Sequence, residues 1–593
     1  MPNYEPIRTE SAACQDCYKC VRECPVKAIR VCEGKASVVP ELCVLCGHCV
    51  EVCPAEAKKV RSDVERAKAL IGIKPTVVAS LAPSFASEFP ELEPARLISS
   101  LTSLGFALVS ETARGADSVS RSLAATLSGA KDSGPGRVIL SSACPVVNDY
   151  LLLYRPELTG FLSPLASPLV AHAAELKASL GPGAAVVFIG PCIGKKREAD
   201  RSAGAVDAAV TFKELRAWFE QEGLDPYAAP ITGNERFYPD KAAKGSLYPV
   251  DGGMIAGVKK YAPGLAAHCV SYSGLGQIER ALDGLEAYDG RSPIFLELLA
   301  CEGGCVNGPE AQHRAGSVRK RLAVLDYARS SADRRDAQSA PVAERVAEPV
   351  ANESPSEESV SEALRSIGKT RPEHELNCSS CGYDSCRAFA AAMISGKAER
   401  TMCVSYMRQL AQKKANALIK AMPSGVVLVD TDLRVVECNR PFARLLGPEV
   451  EAMFDAKPGL EGADLRRLVP FWQLFEAAFA DDGLSEPANG NRRESGPRDV
   501  KFDGRVLSGS IFAVEPGLVV GGIFQDVTVP WIRRDRVVSQ AKAVIRKNVA
   551  TVQKIAYLLG ENAAESETIL QSIIESFDAG DHGPESRDRQ KRG

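Results

Sequence analysis

Histidine is scarce in this chain: six in 593 residues, at positions 48, 172, 268, 313, 374 and 582. None lies between 407 and 530, so that stretch has no imidazole to offer a metal. An excess of positive charge is also lacking. The formal net charge of −3 gives no basic footprint for nucleic acid. No apolar run reaches about 18 residues, so no membrane-spanning helix is expected. The opening stretch MPNYEPIRTESAACQDC has neither the charged nor the apolar region of a signal peptide. The expected compartment is the cytoplasm. Cysteine, by contrast, is abundant, with nineteen residues. Cytoplasmic thiols are kept reduced, so spaced sets of them point to metal rather than disulfides. Sixteen fall into four sets of four. Cys32, Cys269 and Cys438 are left over and are read as small buried hydrophobes.

Residues 14–25 read CQDCYKCVRECP and residues 43–54 read CVLCGHCVEVCP. Both follow C-x2-C-x2-C-x3-C-P, the bacterial ferredoxin spacing, in which the fourth cysteine of each run ligates the other run's cluster. Cys14, Cys17, Cys20 and Cys53 are therefore expected to hold one 4Fe–4S cluster, and Cys43, Cys46, Cys49 and Cys24 a second. Zinc needs one tetrahedral set, not two interleaved runs. Residues 1–62 read as a two-cluster ferredoxin domain.

From residue 63 to 328 the pattern becomes alternating strands and helices. TVVASLAP (76–83), RVILSSACP (137–145), AVVFIGPC (185–192) and IFLELLACEGGC (294–305) are apolar runs ending in turn residues. This predicts an α/β core with a largely parallel sheet. Functional groups on such a sheet collect at the carboxyl ends of its strands. Three of these runs end in cysteine, at Cys144, Cys192, and Cys301 with Cys305. Four thiolates from separate segments can converge on one cube.

The same segments resemble the signature stretches of the FeFe-hydrogenase catalytic domain. SSACP (141–145) is similar to its T-S-C-C-P, PCIGKKRE (191–198) to its P-C-x-x-K-x-x-E, and ELLACEGGCVNG (297–308) to its E-x-M-A-C-x-x-G-C-x-x-G. The resemblance implies an H-cluster: a 4Fe–4S cube on Cys144, Cys192, Cys301 and Cys305, bridged through Cys305 to a two-iron subcluster bearing CO, cyanide and a dithiolate. It also implies that Lys195 and the loop Ala82-Pro83-Ser84 hold the cyanides, with Glu297 lining the pocket. Gly303, Gly304 and Gly308 would let backbone approach the cofactor.

The sequence departs from that family at four places. Ala143 stands where the family has a proton-relaying cysteine. SVSRSLAA (118–125) after Ala116-Asp117 lacks the family's glutamates, and Gly190 and Leu299 replace two methionines of the pocket. Slow turnover with the cluster retained is the expectation, since general acid–base steps typically contribute about 10²–10⁴-fold.

Residues 329–365 are rich in Ser, Ala, Glu and Pro and read as a flexible linker. In 366–406, Cys378, Cys381, Cys386 and Cys403 resemble the small four-cysteine 4Fe–4S module of corrinoid proteins and membrane electron-transport subunits; zinc is the alternative. Residues 407–530 resemble a PAS domain with a leading helix. SGVVLVD (424–430) is a strand, LRVVECNRPFARLLG (433–447) a strand and a helix opened by Asn439, and VLSGSIFAVEP (506–516) and LVVGGIFQDVT (518–528) two late strands. Its ligand is left open, with His-ligated haem set aside. In 531–579 the apolar positions from Val538 to Phe577 keep a 4-3 spacing, which predicts a coiled-coil helix and a homodimer, or a helix packed on its own PAS domain. Residues 580–593 are expected to be disordered.

The whole reads as a multidomain α/β and α+β protein. The resemblance implies a sensory FeFe-hydrogenase that binds and slowly oxidises dihydrogen and relays its redox state through the PAS domain to a signalling protein. Ferredoxin-like electron carriers and hydrogenase maturases are the other implied partners. A metabolic ferredoxin-dependent hydrogenase, and an iron–sulfur scaffold without the two-iron subcluster, are the rival readings.

Overall fold

The structure is a computed structural model; it describes residues 5–129, 138–288, 290, 292–312, 316–329, 338–350, 355–480, 498–515 and 517–528, with isolated positions from 544 to 551. The chain forms two compact units, Met1–Cys403 and Val404–Gly593.

In the first unit the two ferredoxin runs fold alike. Each turns through a left-handed residue, Tyr18 or Gly47, into a one-turn helix, Lys19–Arg22 or His48–Glu51. The fourth thiol of each run then accepts a backbone hydrogen bond four residues on. Ala28 N donates to Cys24 Sγ and Ala57 N to Cys53 Sγ, both at 3.2 Å. Strand Ile7–Thr9 pairs antiparallel with Lys58–Val60, and Ile29–Cys32 forms a hairpin with Lys35–Val38.

The α/β region contains two parallel sheets rather than the single sheet the pattern suggested. One has the order Leu108–Glu111, Val77–Leu81, Ala185–Gly190, Ala208–Thr211. The other has the order His268–Ser273, Ile294–Leu299, Val138–Leu140. Central strands buried on both faces read as continuous apolar runs, and which of them pair is not written in those runs. Every residue of Val77–Leu81 and of Ala185–Gly190 is buried. Helices Pro94–Ser103, Ala113–Gly129, Pro168–Leu180 and Phe212–Gln221 pack around the strands; Thr211 and Glu214 close the last of these with a capping box.

Part of the expected flexible linker is packed. Ala340 is buried, Val342 bridges to Leu165, and Arg345 donates to the carbonyls of Ser163 and Leu165 at 3.0 and 2.7 Å. Residues Glu357–Ser366 form a helix capped by Ser356. One buried alanine, a backbone bridge and the Arg345 guanidinium tie this strap down, which composition alone does not reveal. Cys32 is exposed, contrary to the expectation of burial; it ends a hairpin strand opposite Lys35. Cys438 is buried in its core.

The second unit opens with helix Val404–Ala421 and continues as a five-stranded antiparallel sheet in the order Val435–Cys438, Gly425–Asp430, Val519–Asp526, Arg505–Glu515, Arg498–Phe502. Short helices, among them Arg440–Leu445 and Pro448–Ala456, cover it, and Phe442, Phe471, Phe475 and Phe524 fill the core. Asn439 is fully buried. Its oxygen accepts from Val426 N at 2.8 Å and Phe442 N at 3.0 Å, and its amide donates to Ile419 O at 3.0 Å and Ser424 O at 2.8 Å. One residue thus caps a helix and ties the leading helix to the sheet. Among the described residues no helix is long and apolar enough to cross a membrane. The 4-3 seam between Val538 and Phe577 and the tail after residue 580 lie outside the described residues.

Candidate iron–sulfur and catalytic centre

The four dispersed cysteines lie just beyond strand ends of both parallel sheets. Cys144 follows Val138–Leu140 and precedes helix Pro145–Tyr154; Cys192 follows Ala185–Gly190; Cys301 and Cys305 follow Ile294–Leu299. Their thiols are mutual electrostatic neighbours. Burial pushes Cys192 up to about 11, with Cys144 adding to the rise. Burial also raises Cys301 and Cys305 well above the usual thiol range, and in each case the other three thiols or two of them add to it. Lys195 opposes the rise at Cys192 and Cys305. Cys192, Cys301 and Cys305 resist ionising on their own, and with Cys144 beside them they form a donor set for a cationic iron core, which supplies the charge the protein withholds.

The N-terminal thiols sort themselves in the interleaved pattern. The neighbours that disfavour the Cys20 thiolate, after burial itself, are Cys14, Cys53 and Cys17. Those of Cys49 are Cys46, Cys43 and Cys24. In the small module, Cys381 has Cys403 and Cys378 as neighbours, while hydrogen bonding from Ser380 lowers the exposed Cys378 thiol. Cys386 opens helix Cys386–Ile394, with its N–H donating to Asn377 Oδ1 at 2.8 Å. Among the described residues no three His, Cys, Asp or Glu side chains close on one metal-ion position.

Four family models match: iron only hydrogenase large subunit, C-terminal domain at 73–309; 4Fe-4S dicluster domain at 6–59; an Fe-S cluster family at 375–405; and PAS domain at 414–487. This chain carries an iron-only hydrogenase domain between two iron–sulfur modules and a PAS domain. Among curated proteins it is 25% identical over 365 residues to the periplasmic Fe hydrogenase large subunit of Nitratidesulfovibrio vulgaris, covering 51% of this chain and 85% of that one. It is 48% identical over 48 residues to one subunit of the ion-translocating oxidoreductase complex of Methanosarcina acetivorans, 8% of this chain and only 18% of that protein's length. A solved FeFe-hydrogenase HydA1 variant from Chlamydomonas reinhardtii aligns at 20% identity with a TM-score of 0.35, over 48% of this chain and 91% of that one. The hydrogenase domain implies dihydrogen and electron carriers as partners, and the matched modules imply 4Fe–4S cofactors.

Around the hydrogenase-domain thiols the polar residues are unevenly partnered. Ser84 is buried and its Oγ has no hydrogen-bond partner. Ala82 N–H is spent on Ile189 O at 2.8 Å, so from that loop Ser84 is the side chain left to serve an anionic ligand. Lys195 Nζ donates to Glu198 Oε2 at 2.6 Å and Ser167 Oγ at 3.3 Å, which leaves one of its three protons. Glu297 is fully buried. It accepts from Ile255 N at 3.0 Å at the start of helix Gly253–Tyr261, and its Oε1 is unpartnered. Burial pushes its carboxyl up to about 7. An unpartnered buried hydroxyl at Ser84 and a cation at Lys195 beside the thiols are donors that fit a bound group carrying anionic ligands.

The positions that depart from the hydrogenase pattern are filled by protein. A Cβ on Gly190 would lie 2.5 Å from the Phe188 ring and 2.8 Å from Ala82 Cβ, so Phe188 occupies the space a longer side chain would need. Leu299 is buried, and Ala143 is half-buried against an apolar cluster that includes Ile139, Tyr248 and Phe295. Gly304 is required by backbone: a Cβ there would meet Pro249 O at 2.2 Å. Sequence reasoning passed over Asp117, whose carboxylate accepts from Ala243 N at 2.7 Å and Gly245 N at 2.8 Å and so fixes the loop leading to Tyr248. Its signal was a carboxylate in a helix turn flanked by small and apolar residues, Ala113, Ala116 and Val119. Glu198, the last residue of PCIGKKRE, was quoted without the role it has here as the partner of Lys195.

Proposed function

We propose that this protein is a sensory hydrogenase: it binds dihydrogen at an H-cluster held by Cys144, Cys192, Cys301 and Cys305, oxidises it slowly, and passes its redox state through the PAS domain to a signalling partner in the cytoplasm. The reading rests most on Ala143. When bound, the two-iron subcluster supplies the open metal position at which dihydrogen is taken up and cleaved. Cys305 would bridge it to the cube. Lys195 and Ser84 would donate hydrogen bonds to its anionic ligands, and Glu297 would lie at the pocket wall. A methyl group at 143 can neither take nor give a proton, so the short route from the metal into the protein has no first carrier. Gly190 supports the same reading, because Phe188 and Ala82 leave no room there for the longer side chain that the resemblance leads one to expect.

The test is hydrogen evolution from a reduced one-electron carrier by protein matured with the two-iron subcluster. Little activity is expected from the natural chain, and a clear rise from Ala143→Cys. Rapid evolution by the natural chain would favour a metabolic hydrogenase instead.

A further inference from the structure

The ferredoxin-like domain presents its two cysteine runs to two different neighbours. The second run faces the hydrogenase domain. Arg197 Nη1 donates to Cys43 O and Tyr154 Oη to Leu42 O, both at 2.6 Å. A Cβ on Gly47 would lie 2.5 Å from Pro309. A cavity of about 300 Å³ is lined by Cys46, His48 and Glu51 on one side and by Cys301, Glu302 and Asn307 on the other. Ligands of two different expected cubes thus open onto one space.

The first run faces the four-cysteine module. Gly382, one residue after Cys381, sits at φ +92°, and a Cβ there would lie 2.8 Å from Val21 Cγ1 and 3.1 Å from Arg22 N. Only a glycine lets that loop come down on the helix that carries Cys20. The hairpin after this helix is clasped from the same side. Val31 N donates to Lys397 O at 2.9 Å, and Glu33 N and Gly34 N donate to the Glu399 carboxylate at 2.5 and 3.3 Å. Tyr18, between Cys17 and Cys20, is hydrogen-bonded with Thr401, two residues before Cys403. Tyr383 is buried, with Cys381 and Cys24 as its charged neighbours. Cys378 on the outer side is exposed.

We propose that the Cys378–Cys381–Cys386–Cys403 cube is the outer end of a single series of clusters, docked on the cube of Cys14, Cys17, Cys20 and Cys53, and that it is the port through which electrons enter or leave. The two ferredoxin cubes are then intermediate stations in that series, although Cys17 of the first run is also exposed. One electron moves at a time: each cube is reduced by one as its neighbour is oxidised by one, and a soluble one-electron carrier gives or takes it at the exposed Cys378 corner. The proposal rests on the cluster-holding reading of these cysteines and not on the hydrogen reaction.

The test uses the full chain reconstituted with iron and sulfide only, reduced with dithionite, and followed by iron content and electron paramagnetic resonance. The natural chain is expected to show ferredoxin-cube signals broadened and fast-relaxing through a third reduced cube. The double variant Cys381→Ala with Cys386→Ala should lose the four irons of one cube, and its remaining signals should sharpen and relax more slowly. Glu399→Ala, which keeps every ligand, should keep the iron and lose part of the coupling. The proposal is overturned if the double variant loses no iron, or if it loses iron and leaves the remaining signals unchanged. No two-iron subcluster enters this measurement, so failure of the hydrogenase reading leaves its outcome untouched.

Discussion

The two sides of the hydrogenase-domain pocket differ in what they keep. On the thiol side every expected ligand is present: Cys144, Cys192, Cys301 and Cys305 neighbour one another, with Lys195 beside them. Next to them, Ala143, Gly190 and Leu299 stand where the hydrogenase resemblance leads one to expect a proton carrier and two methionines. Ala143 packs among apolar residues and the space at Gly190 is taken by Phe188. Ligand sets for a cofactor and the machinery for fast turnover are therefore separable in one pocket.

The largest effect that would break this comparison is on the thiol side. Cys305→Ala should abolish loading of the pocket altogether, seen as loss of one cube's iron and of all infrared bands from CO and cyanide; retention of those bands would mean that Cys305 is not the bridge. On the opposite side, Ala143→Cys is expected to raise hydrogen turnover by roughly 10²-fold, the lower end of what one proton-transfer group contributes. An unchanged rate would place the limiting defect elsewhere in the pocket. Gly190→Met should not restore a family-like pocket. Its side chain would strike Phe188 and Ala82, so thermal unfolding should show a loss of about 1–3 kcal/mol. The smallest effect is expected from Ser84→Ala. Removing an unpartnered buried hydroxyl should leave the protein without its two-iron subcluster equally stable or about 1 kcal/mol more stable, while loading of that subcluster falls. A loss of stability in the unloaded protein would show that Ser84 is structural.

How much of this was legible in the sequence depends on how local each feature is. The ferredoxin runs were readable as a dicluster domain because each run is short and regularly spaced, and Cys53 lies near Cys20 and Cys24 near Cys49. Cys144, Cys192, Cys301 and Cys305 were readable as strand-end residues. That their strands belong to two sheets was not, because pairing is decided by contacts far apart in sequence, such as Ile294 with Val138. The edge strand Arg498–Phe502 was missed for a related reason: its charged, half-exposed sequence is what protects a sheet edge and hides the strand pattern. The strap held by Ala340 and Arg345 escaped because its surroundings are compositionally polar. Asn439, by contrast, was found from its place before an apolar helix, though not its bonds to Ile419 and Ser424.

The central claim is that the pocket still holds an H-cluster although its proton relay is missing. Infrared spectroscopy of the full chain after treatment with the hydrogenase maturases tests this most directly. The account predicts bands of metal-bound CO and cyanide that respond to dihydrogen. Absence of those bands from protein whose four-iron cubes are fully loaded would contradict it and leave an iron–sulfur scaffold.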